Sequence, residues 1–469
     1  MDSVTSQEIV ENVTFDEIRI DQSAQIVRTL TLQDIQAFAA VSGDTNPAHL
    51  DAEYAEASLF HGIIAHGMWG GALISAVLGT VFPGTGTIYL EQNLRFSRPI
   101  RVGDTLTISV RVTSLDPIHK HVVLDCQVIN QQDVLVLNGL ARVLAPTQKV
   151  RRARTHSPTI QLFDPQARLN ALLSLGAHLP AVRCAVVHPC DPESLLGAVE
   201  AAQQGLIEAT LVGPEAKIRA AAEKAGIDLH GMKIVAVEHS HAAAAMAATL
   251  AATHEVEALM KGSLHTDELI RAMLDTPGLR TGRRMSHVFR FDVPTYAKPL
   301  FLTDAALNIA PTLVEKVDIV QNAIHFAHLL GLEQPKAAIL SAIETVNPDI
   351  PSTLDAAALC KMAERGQIVG GVLDGPLAFD NAVSIAAARQ KNIESEVAGV
   401  ADILVVPDLE SGNMLGKQLE YLGGATSAGV VLGARVPVAL TSRANGHTAR
   451  LASALLAKLI AHQNRRAQT

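Results

Sequence analysis

An acid and an imidazole lie close together near the start of the chain. Asp44 and His49 are five positions apart, and the Asn-Pro step between them predicts a turn. A turn can direct both side chains at one water molecule, with the imidazole as base and the carboxylate orienting the water or sharing its proton. The same spacing also fits a structural role, in which Asp44 caps a helix and His49 fills a core position.

The wider string around this pair carries more information than the spacing. GDTNPAHLD is followed by FHGIIAHGMWGGALIS and then by IYLEQNLRFSRPIRVGDTL. In order and spacing, residues 26–146 resemble the MaoC-like, R-specific enoyl-CoA hydratases of the hotdog fold. The resemblance implies that Asp44 and His49 are the catalytic pair, which would add water to a trans-2-enoyl-CoA and give a (3R)-3-hydroxyacyl-CoA.

Hydration also needs a hydrogen-bond donor at the thioester oxygen, where negative charge develops. The backbone N–H groups at the start of an apolar helix near Gly67 suit this role. Ser75 lies two turns further along, where related hydratases place a serine near the acyl chain; a small residue for close helix packing is the alternative. His61 and His66 are also five apart, but no acidic or thiolate partner stands at ligand spacing, so no metal site is predicted.

The elements that must position these residues form an α+β domain. An apolar helix over 67–78 precedes four alternating segments, each typical of a half-buried strand: 88–95, 105–113, 121–130 and 134–144. One buried helix followed by antiparallel strands is an α+β arrangement. Next comes PTQKVRRARTHSPT, whose basic, Pro, Ser and Thr residues predict a linker.

Beyond the linker, short apolar strands alternate with helices, which predicts mostly parallel α/β sheets in two lobes around a cleft. Polar turns follow four of these strands. They begin at Lys261, Gly370, Pro407 and Leu440. Ligands of α/β proteins bind at the carboxyl ends of strands, so the turns are candidates for an anion and acyl-carrier site, although each alone could be only a turn or a helix cap.

The order of the motifs identifies the second region. LMKGSLHTDEL, FLTDAALNIAP, ETVNP, LDGPLAFDNAVS, VVPDLESGNM and PVALTSRAN together resemble the phosphate acetyltransferase and phosphate butyryltransferase family over residues 163–469. Members move an acyl group between CoA and phosphate without a metal or a covalent enzyme intermediate. The resemblance assigns phosphate binding to Arg443 and transition-state stabilisation to Ser442; a guanidinium offers a planar, permanently charged fork to phosphate oxygens.

The general base for the CoA thiol stays open. The acetyltransferases of the family use an acid a few positions after the Ser-Arg pair, but here the chain continues Ala-Asn-Gly-His-Thr-Ala. His447 or Asp380 could take the proton. Further candidates for substrate binding are Ser263, His265 and Thr266 after the first strand, and Arg283 and Ser286 in the segment GLRTGRRMSHVF.

Composition limits the remaining function classes. The 469 residues carry a net charge of −9, which argues against nucleic-acid binding. Four scattered cysteines indicate a reducing compartment, and neither a secretory signal nor a membrane-spanning window is visible. We therefore expect a cytoplasmic protein without membrane contact. Only 18% of residues are charged, which favours a homo-oligomer.

The sequence thus predicts a hotdog hydratase domain at 1–146, a linker at 147–162 and a two-lobed acyltransferase domain at 163–469. Acyl-CoA and phosphate are the expected substrates, with no bound cofactor and no metal. Two alternatives stay open. The second domain could be a regulatory acyl-CoA or acyl-phosphate sensor, because the acid after Arg443 is missing. The first could be a thioesterase or a dimerisation module, although intact Asp44 and His49 speak against this.

Overall fold

A computed structural model describes residues 9–153, 162–441 and 446–468, with side chains to 466. The chain divides into two compact units, Met1–Leu162 and Phe163–Thr469. No helix in the described ranges is long and apolar enough to cross a membrane.

The first unit is a helix packed on an antiparallel sheet. Its elements, besides a 3-10 turn at Phe15–Glu17, are β1 (Ile9–Glu11), β2 (Ser23–Thr29), α1 (Leu32–Ser42), α2 (Pro47–Leu50), α3 (Ala52–Ala57), α4 (Gly67–Thr80), β3 (Ile88–Gln92), β4 (Arg95–Phe96), β5 (Thr105–Asp116), β6 (His121–Ile129), β7 (Leu135–Leu144) and β8 (Arg151–Ala153). The main sheet has the order β2-β5-β6-β7-β3, and β4 also pairs with β7.

Helix α4 packs into the core of this unit because most of its residues are apolar, as the sequence predicts. Its Trp69, Ile74 and Leu78 share one core with the inward residues of β5 and β6, such as Ile108 and Leu124. Alternate residues of β5 are buried up to Val112, which is the pattern of a strand with one covered face. This confirms the predicted hotdog-like α+β architecture.

The segment between β7 and the end of this described range, at residue 153, packs on the first unit. Strand β8, which lies inside the predicted linker, pairs with β1 in antiparallel register. The side chain of Asn12 supports this pairing: its Oδ1 accepts from the backbone N–H of Val150 at 2.8 Å. Residues 154–161 lie outside the described ranges.

The second unit alternates strands and helices. Its elements are α5 (Pro165–Ser174), β9 (Val182–Val187), α6 (Pro192–Gln203), β10 (Ile207–Gly213), α7 (Glu215–Ala225), β11 (Lys233–Ala236), α8 (Ser240–Ala252), β12 (Ala258–Lys261), α9 (Thr266–Asp275), β13 (Ser286–Asp292), β14 (Leu300–Thr303), α10 (Leu313–Leu329), β15 (Lys336–Leu340), α11 (Pro351–Glu364), β16 (Val372–Leu377), α12 (Phe379–Val383), α13 (Ile385–Gln390), β17 (Ile403–Val405), α14 (Leu409–Tyr421), β18 (Thr426–Leu432), β19 (Val438–Ala439) and α15 (His447–Gln468).

The strands of this unit form one sheet of two parallel halves. Its order is β11-β10-β9-β12-β19-β18-β13-β14-β17-β15-β16. The first five strands are mutually parallel, as are the last four. Strands β18 and β13 join the halves through antiparallel pairings. The predicted mostly parallel α/β architecture is therefore confirmed, with the two lobes connected edge to edge.

The register across the centre of this sheet brings distant strand ends together. Met260 of β12 pairs with Ala439 of β19, which pairs with Val430 of β18. Val430 pairs with Val288 of β13, and Val288 pairs with Thr303 of β14. Strands β12, β19 and β14 thus end at or next to this row of paired residues. The turns that follow these three strands therefore start close to one another.

Candidate active sites

The turn that carries Asp44 and His49 is built by local capping. Helix α1 ends at Gly43, whose φ of +75° is a left-handed conformation that suits glycine. Asn46 then caps α2, because its side chain accepts from the backbone N–H of Ala48 at 3.1 Å. His49 lies in α2 and is 9% exposed, whereas Asp44 is exposed.

Two carbonyl groups determine which ring nitrogens carry protons. His49 Nδ1 lies 2.9 Å from the carbonyl oxygen of Ile64, and His66 Nε2 lies 2.9 Å from that of Asp44. A carbonyl oxygen only accepts, so each of these nitrogens donates. In the neutral rings, the lone pairs are therefore on His49 Nε2 and His66 Nδ1.

His66 joins the predicted pair. Its ring lies over that of His49, with 3.9 Å between the centroids, and one potential ligand atom each of Asp44, His49 and His66 lie within 4.8 Å of one another. The hydrogen bond to the Asp44 carbonyl ties His66 to the loop that carries Asp44. His61 is exposed and outside this group.

A cavity of about 330 Å³ opens beside His49. Its walls include Phe60, Ile64 and Phe96, and Gly67 at the start of α4 also lines it. A Cβ atom at Gly67 would lie 3.1 Å from the Phe96 ring, so a larger residue would crowd this wall. The structure thus brings Gly67 and His49 together. Ser75 lies on an exposed part of α4 and does not line the cavity.

A second cavity, of about 430 Å³, lies in the second unit where the strand ends meet. It is lined by Lys261, Leu264, His265, Thr266, Phe289, Ala305, Ala306, Leu409, Asn413, Gly416, Lys417, Glu420, Tyr421, Leu440 and Thr441. Helix α9 begins at this cavity, and its N-cap His265 makes no side-chain hydrogen bond to the first turn. The positive end of the helix dipole therefore faces a space with two lysines, which favours an anionic ligand.

The predicted residues of the second unit differ in where they lie relative to this cavity. His265 and Thr266 line the cavity. Ser263 lies beside it, where its hydroxyl donates to the carbonyl of His188 at 2.9 Å and accepts from the N–H of Cys190 at 3.2 Å. Ser442 and Arg443 lie outside the described residues, but Thr441 immediately before them lines the cavity.

Four other predicted residues do not line this cavity. Ser286 is fully buried in β13 and accepts from Asn322 Nδ2 at 2.8 Å. Arg283 faces other cavities, where its guanidinium donates to His325 at 2.5 Å. Asp380 and His447, the two candidate bases, are exposed at the starts of α12 and α15.

Glu420 and Lys417 on α14 were not singled out by the sequence. Glu420 is the one carboxylate among the described residues that line the cavity, and the hydroxyl of Ser427 donates to it. Both lie outside the polar turns that follow strands, so no motif pointed to them. A helical period of about 3.6 residues does place them, with Asn413 and Gly416, on one face of α14, but a sequence alone does not show which face meets a cleft.

Comparison with known proteins agrees with this two-part organisation. The family described as "Phosphate acetyl/butaryl transferase" matches residues 240–457, and "MaoC like domain" matches residues 16–132. A phosphate acetyltransferase of Rhizobium meliloti is 60% identical over 293 residues, 62% of this chain and 92% of that protein.

Solved structures of both kinds of protein are similar to parts of the chain. A branched-chain phosphotransacylase from Enterococcus faecalis V583 is 32% identical, with a TM-score of 0.53, over 60% of this chain and 99% of the other. The R-hydratase PhaJ1 from Pseudomonas aeruginosa is 42% identical, with a TM-score of 0.32, over 33% of this chain and 100% of the other. The chain therefore belongs to the phosphate acetyl/butyryltransferase family through its second unit and carries a MaoC-like domain as its first.

Proposed function

We propose that the chain is a bifunctional acyl-CoA enzyme. Its first unit hydrates trans-2-enoyl-CoA to (3R)-3-hydroxyacyl-CoA, and its second transfers acyl groups, acetyl or butyryl, between CoA and phosphate. Coenzyme A thioesters and phosphate enter as substrates, and no bound cofactor is needed for either reaction. The chemistry of the two lined cavities supports this reading.

For hydration, the supporting observation is the lone pair of His49 Nε2 at the wall of an apolar cavity. His49 takes a proton from the water whose oxygen attacks C3 of the enoyl group, and Asp44 orients that water. The electron pair of the double bond moves towards the thioester oxygen, where N–H groups in the first turn of α4 at Gly67 stabilise it. C2 then receives a proton, which completes the addition of one water.

The test of this half is the Asp44→Asn variant, which keeps the shape and removes the charge. We expect crotonyl-CoA hydration to fall about a hundredfold or more, with acyl transfer unchanged. Glu53→Gln, an exposed acid on the neighbouring α3, is the matched control. Full hydration by Asp44→Asn would refute the assignment.

For acyl transfer, the supporting observation is a cavity that combines Glu420 with Lys261, Lys417 and the start of α9, next to Thr441. Glu420 accepts the proton of the CoA thiol, and the thiolate attacks the carbonyl carbon of the acyl phosphate. The new S–C bond forms as the C–O bond to phosphate breaks. Arg443, the lysines and the helix dipole stabilise the phosphate that leaves.

Thiol consumption from CoA with acetyl phosphate and, separately, butyryl phosphate tests this half. We expect Glu420→Gln to lower kcat by about 10²–10⁴-fold and Arg443→Ala to abolish turnover. Glu410→Gln is the matched control, since Glu410 is exposed at the other end of the same helix. The acyl phosphate that gives the faster thiol consumption is the preferred substrate.

A sensor role for the second unit is the competing candidate. It is favoured by one observation: the described start of α15 carries no acid after the Ser-Arg pair. Binding of acetyl-CoA without turnover of either acyl phosphate, while crotonyl-CoA is still hydrated, would establish this alternative.

We further propose a homo-oligomer in the cytoplasm. Support for self-association comes from the edge strand β3 and the adjoining β4, where Ile88, Leu90 and Phe96 are 54%, 44% and 53% exposed. Unpaired apolar edges are commonly covered by another chain. Light scattering of the purified protein tests this, and a monomer at micromolar concentration would refute it.

A further inference from the structure

The three groups at the turn of the first unit have the chemistry of a metal-binding site. Asp44 supplies a carboxylate, and His49 and His66 supply imidazoles. One potential ligand atom of each lies within 4.8 Å of the others. Among the described residues, this is the one group of three or more such side chains that meets this distance.

The two histidines are oriented as metal-ligating histidines are. Such histidines donate their second ring N–H to a backbone carbonyl or a carboxylate, which fixes the tautomer and leaves the other nitrogen free to bind. His49 donates to the carbonyl of Ile64 and His66 to that of Asp44, each at 2.9 Å. His49 Nε2 and His66 Nδ1 thus hold lone pairs, and both rings are buried.

An unsatisfied atom provides an independent observation. His66 is 2% exposed, and its Nδ1 is buried and has no hydrogen-bond partner among the residues that the structure describes. A buried polar atom without a partner is costly, and such atoms in folded proteins point to an unseen ligand, a water or a catalytic role. The Phe38 ring packs on the His66 ring, with 5.1 Å between the ring centroids, and it offers this nitrogen no acceptor or donor.

We propose that Asp44, His49 and His66 bind a divalent transition-metal ion such as Zn²⁺, and that the ion inhibits hydration. Two imidazoles and one carboxylate match the donor preference of Zn²⁺ and leave a fourth position for water. Zinc bonds of about 2.0 Å would place the ligand atoms about 3.3 Å apart, so the three side chains would draw closer together around the ion than the 4.8 Å within which they now lie. Asp44 is exposed and His49 lines the cavity, which gives the ion access.

Inhibition follows from the lone pair that the ion would occupy. This step rests on the proposed hydratase function, in which His49 Nε2 accepts a proton from water. A nitrogen bound to Zn²⁺ has no lone pair left for that proton. The same ion would also hold the Asp44 carboxylate away from the water that it orients.

The test is Zn²⁺ titration of the EDTA-stripped full chain by calorimetry, with Co²⁺ absorption as a second readout. His66→Gln retains a side-chain N–H for the Asp44 carbonyl but has no imidazole nitrogen. We expect its affinity for Zn²⁺ to fall by about tenfold or more, since even outer-shell changes cost 10–100-fold. His119→Gln is the matched control; His119 is an exposed histidine that pairs with Asp116 and stacks on His121.

Inhibition is measured on crotonyl-CoA hydration, because this reaction releases no free CoA thiol that could bind Zn²⁺. The concentration that halves the rate should rise in His66→Gln in step with the lost affinity, and stay unchanged in His119→Gln. Equal affinity in His66→Gln and the wild type would overturn the proposal, as would binding at this site without inhibition.

Two further measurements cover a variant that does not fold and a protein that does not hydrate crotonyl-CoA. If His66→Gln does not fold, Asp44→Asn replaces it in the calorimetry, and unchanged Zn²⁺ affinity in that variant would overturn the proposal. If the metal-free protein does not hydrate crotonyl-CoA at all, the proposed function fails, while calorimetry and Co²⁺ spectra still decide whether the three residues bind the ion.

Discussion

The side chain of Asp304 stabilises the turn after β14, whose Ala305 and Ala306 line the cavity of the second unit. Asp304 is 3% exposed, and its carboxylate accepts four hydrogen bonds. Oδ1 accepts from the N–H groups of Ala306 and Leu307 at 2.9 and 3.0 Å. Oδ2 accepts from the N–H of His287 at 3.1 Å and from Asn308 Nδ2 at 2.6 Å. The perturbation is Asp304→Asn, which keeps the volume and replaces one acceptor by a donor.

The magnitude follows from the donors that lose their acceptor. With its oxygen towards Ala306 and Leu307, the asparagine would turn an NH₂ group towards His287 and Asn308. Asn308 is held in its orientation, because its Oδ1 accepts from Arg284 Nε at 2.6 Å and its Nδ2 also donates to the Met285 carbonyl at 3.0 Å. Two buried donors without an acceptor cost about 1–3 kcal/mol each, so we expect a loss of about 2–6 kcal/mol in the free energy of unfolding of the second unit.

The assay is urea unfolding of the full chain followed by two signals. The chain has one tryptophan, Trp69, which lies in the first unit, so its fluorescence reports that unit, whereas far-ultraviolet circular dichroism reports both. Asp304→Asn should shift the dichroism transition to lower urea without moving the Trp69 transition. The control Asp349→Asn, at an exposed aspartate, should stay within about 0.5 kcal/mol of the wild type. An equally small effect of Asp304→Asn would refute the reasoning.

Three further predictions concern the two cores. Gly139→Ala should unfold the first unit and abolish hydration while acyl transfer persists, because the new Cβ would lie 1.8 Å from the carbonyl oxygen of Asn93; normal hydration would contradict this. Burial lowers the pKa of His287 to about 4, below about 6.5 in the unfolded chain, so its contribution to stability is complete above pH 6.5 and is lost as the pH falls towards 4. Unfolding midpoints measured between pH 7 and 4.5 check this, and His287→Asn should reduce the slope by one proton. Burial also raises the pKa of Cys126 to about 12, so iodoacetamide at pH 8 should label this thiol only after unfolding, as mass spectrometry would show.

The sequence by itself determined the features that depend on local chain geometry and motif order. Asp44 and His49 are five residues apart across one capped turn, so no distant contact is needed to bring them together. The start of α4 near Gly67 could be predicted because this helix is a continuous apolar run in the sequence. The change from one helix with antiparallel strands to alternating strands and helices likewise predicted the two fold classes.

Only the tertiary structure decided which distant side chains share a site. His66 reaches the Asp44 carbonyl from 22 positions away, through the loop that precedes α4. Glu420 and Lys261 line one cavity because the sheet register places the ends of β12 and β17 in the same row of paired residues, and Glu420 lies on the helix that follows β17. The same register leaves Ser286 buried inside β13, although its motif suggested substrate contact.

The physical reason is that periodicity within an element shows which residues share a face, but not what that face meets. Ser75 follows Gly67 along α4 by about two turns, yet the packing of Trp69, Ile74 and Leu78 against the sheet leaves Ser75 exposed. Contacts of this kind depend on the summed burial of a whole core. They become defined only when helices and strands from distant parts of the chain pack together.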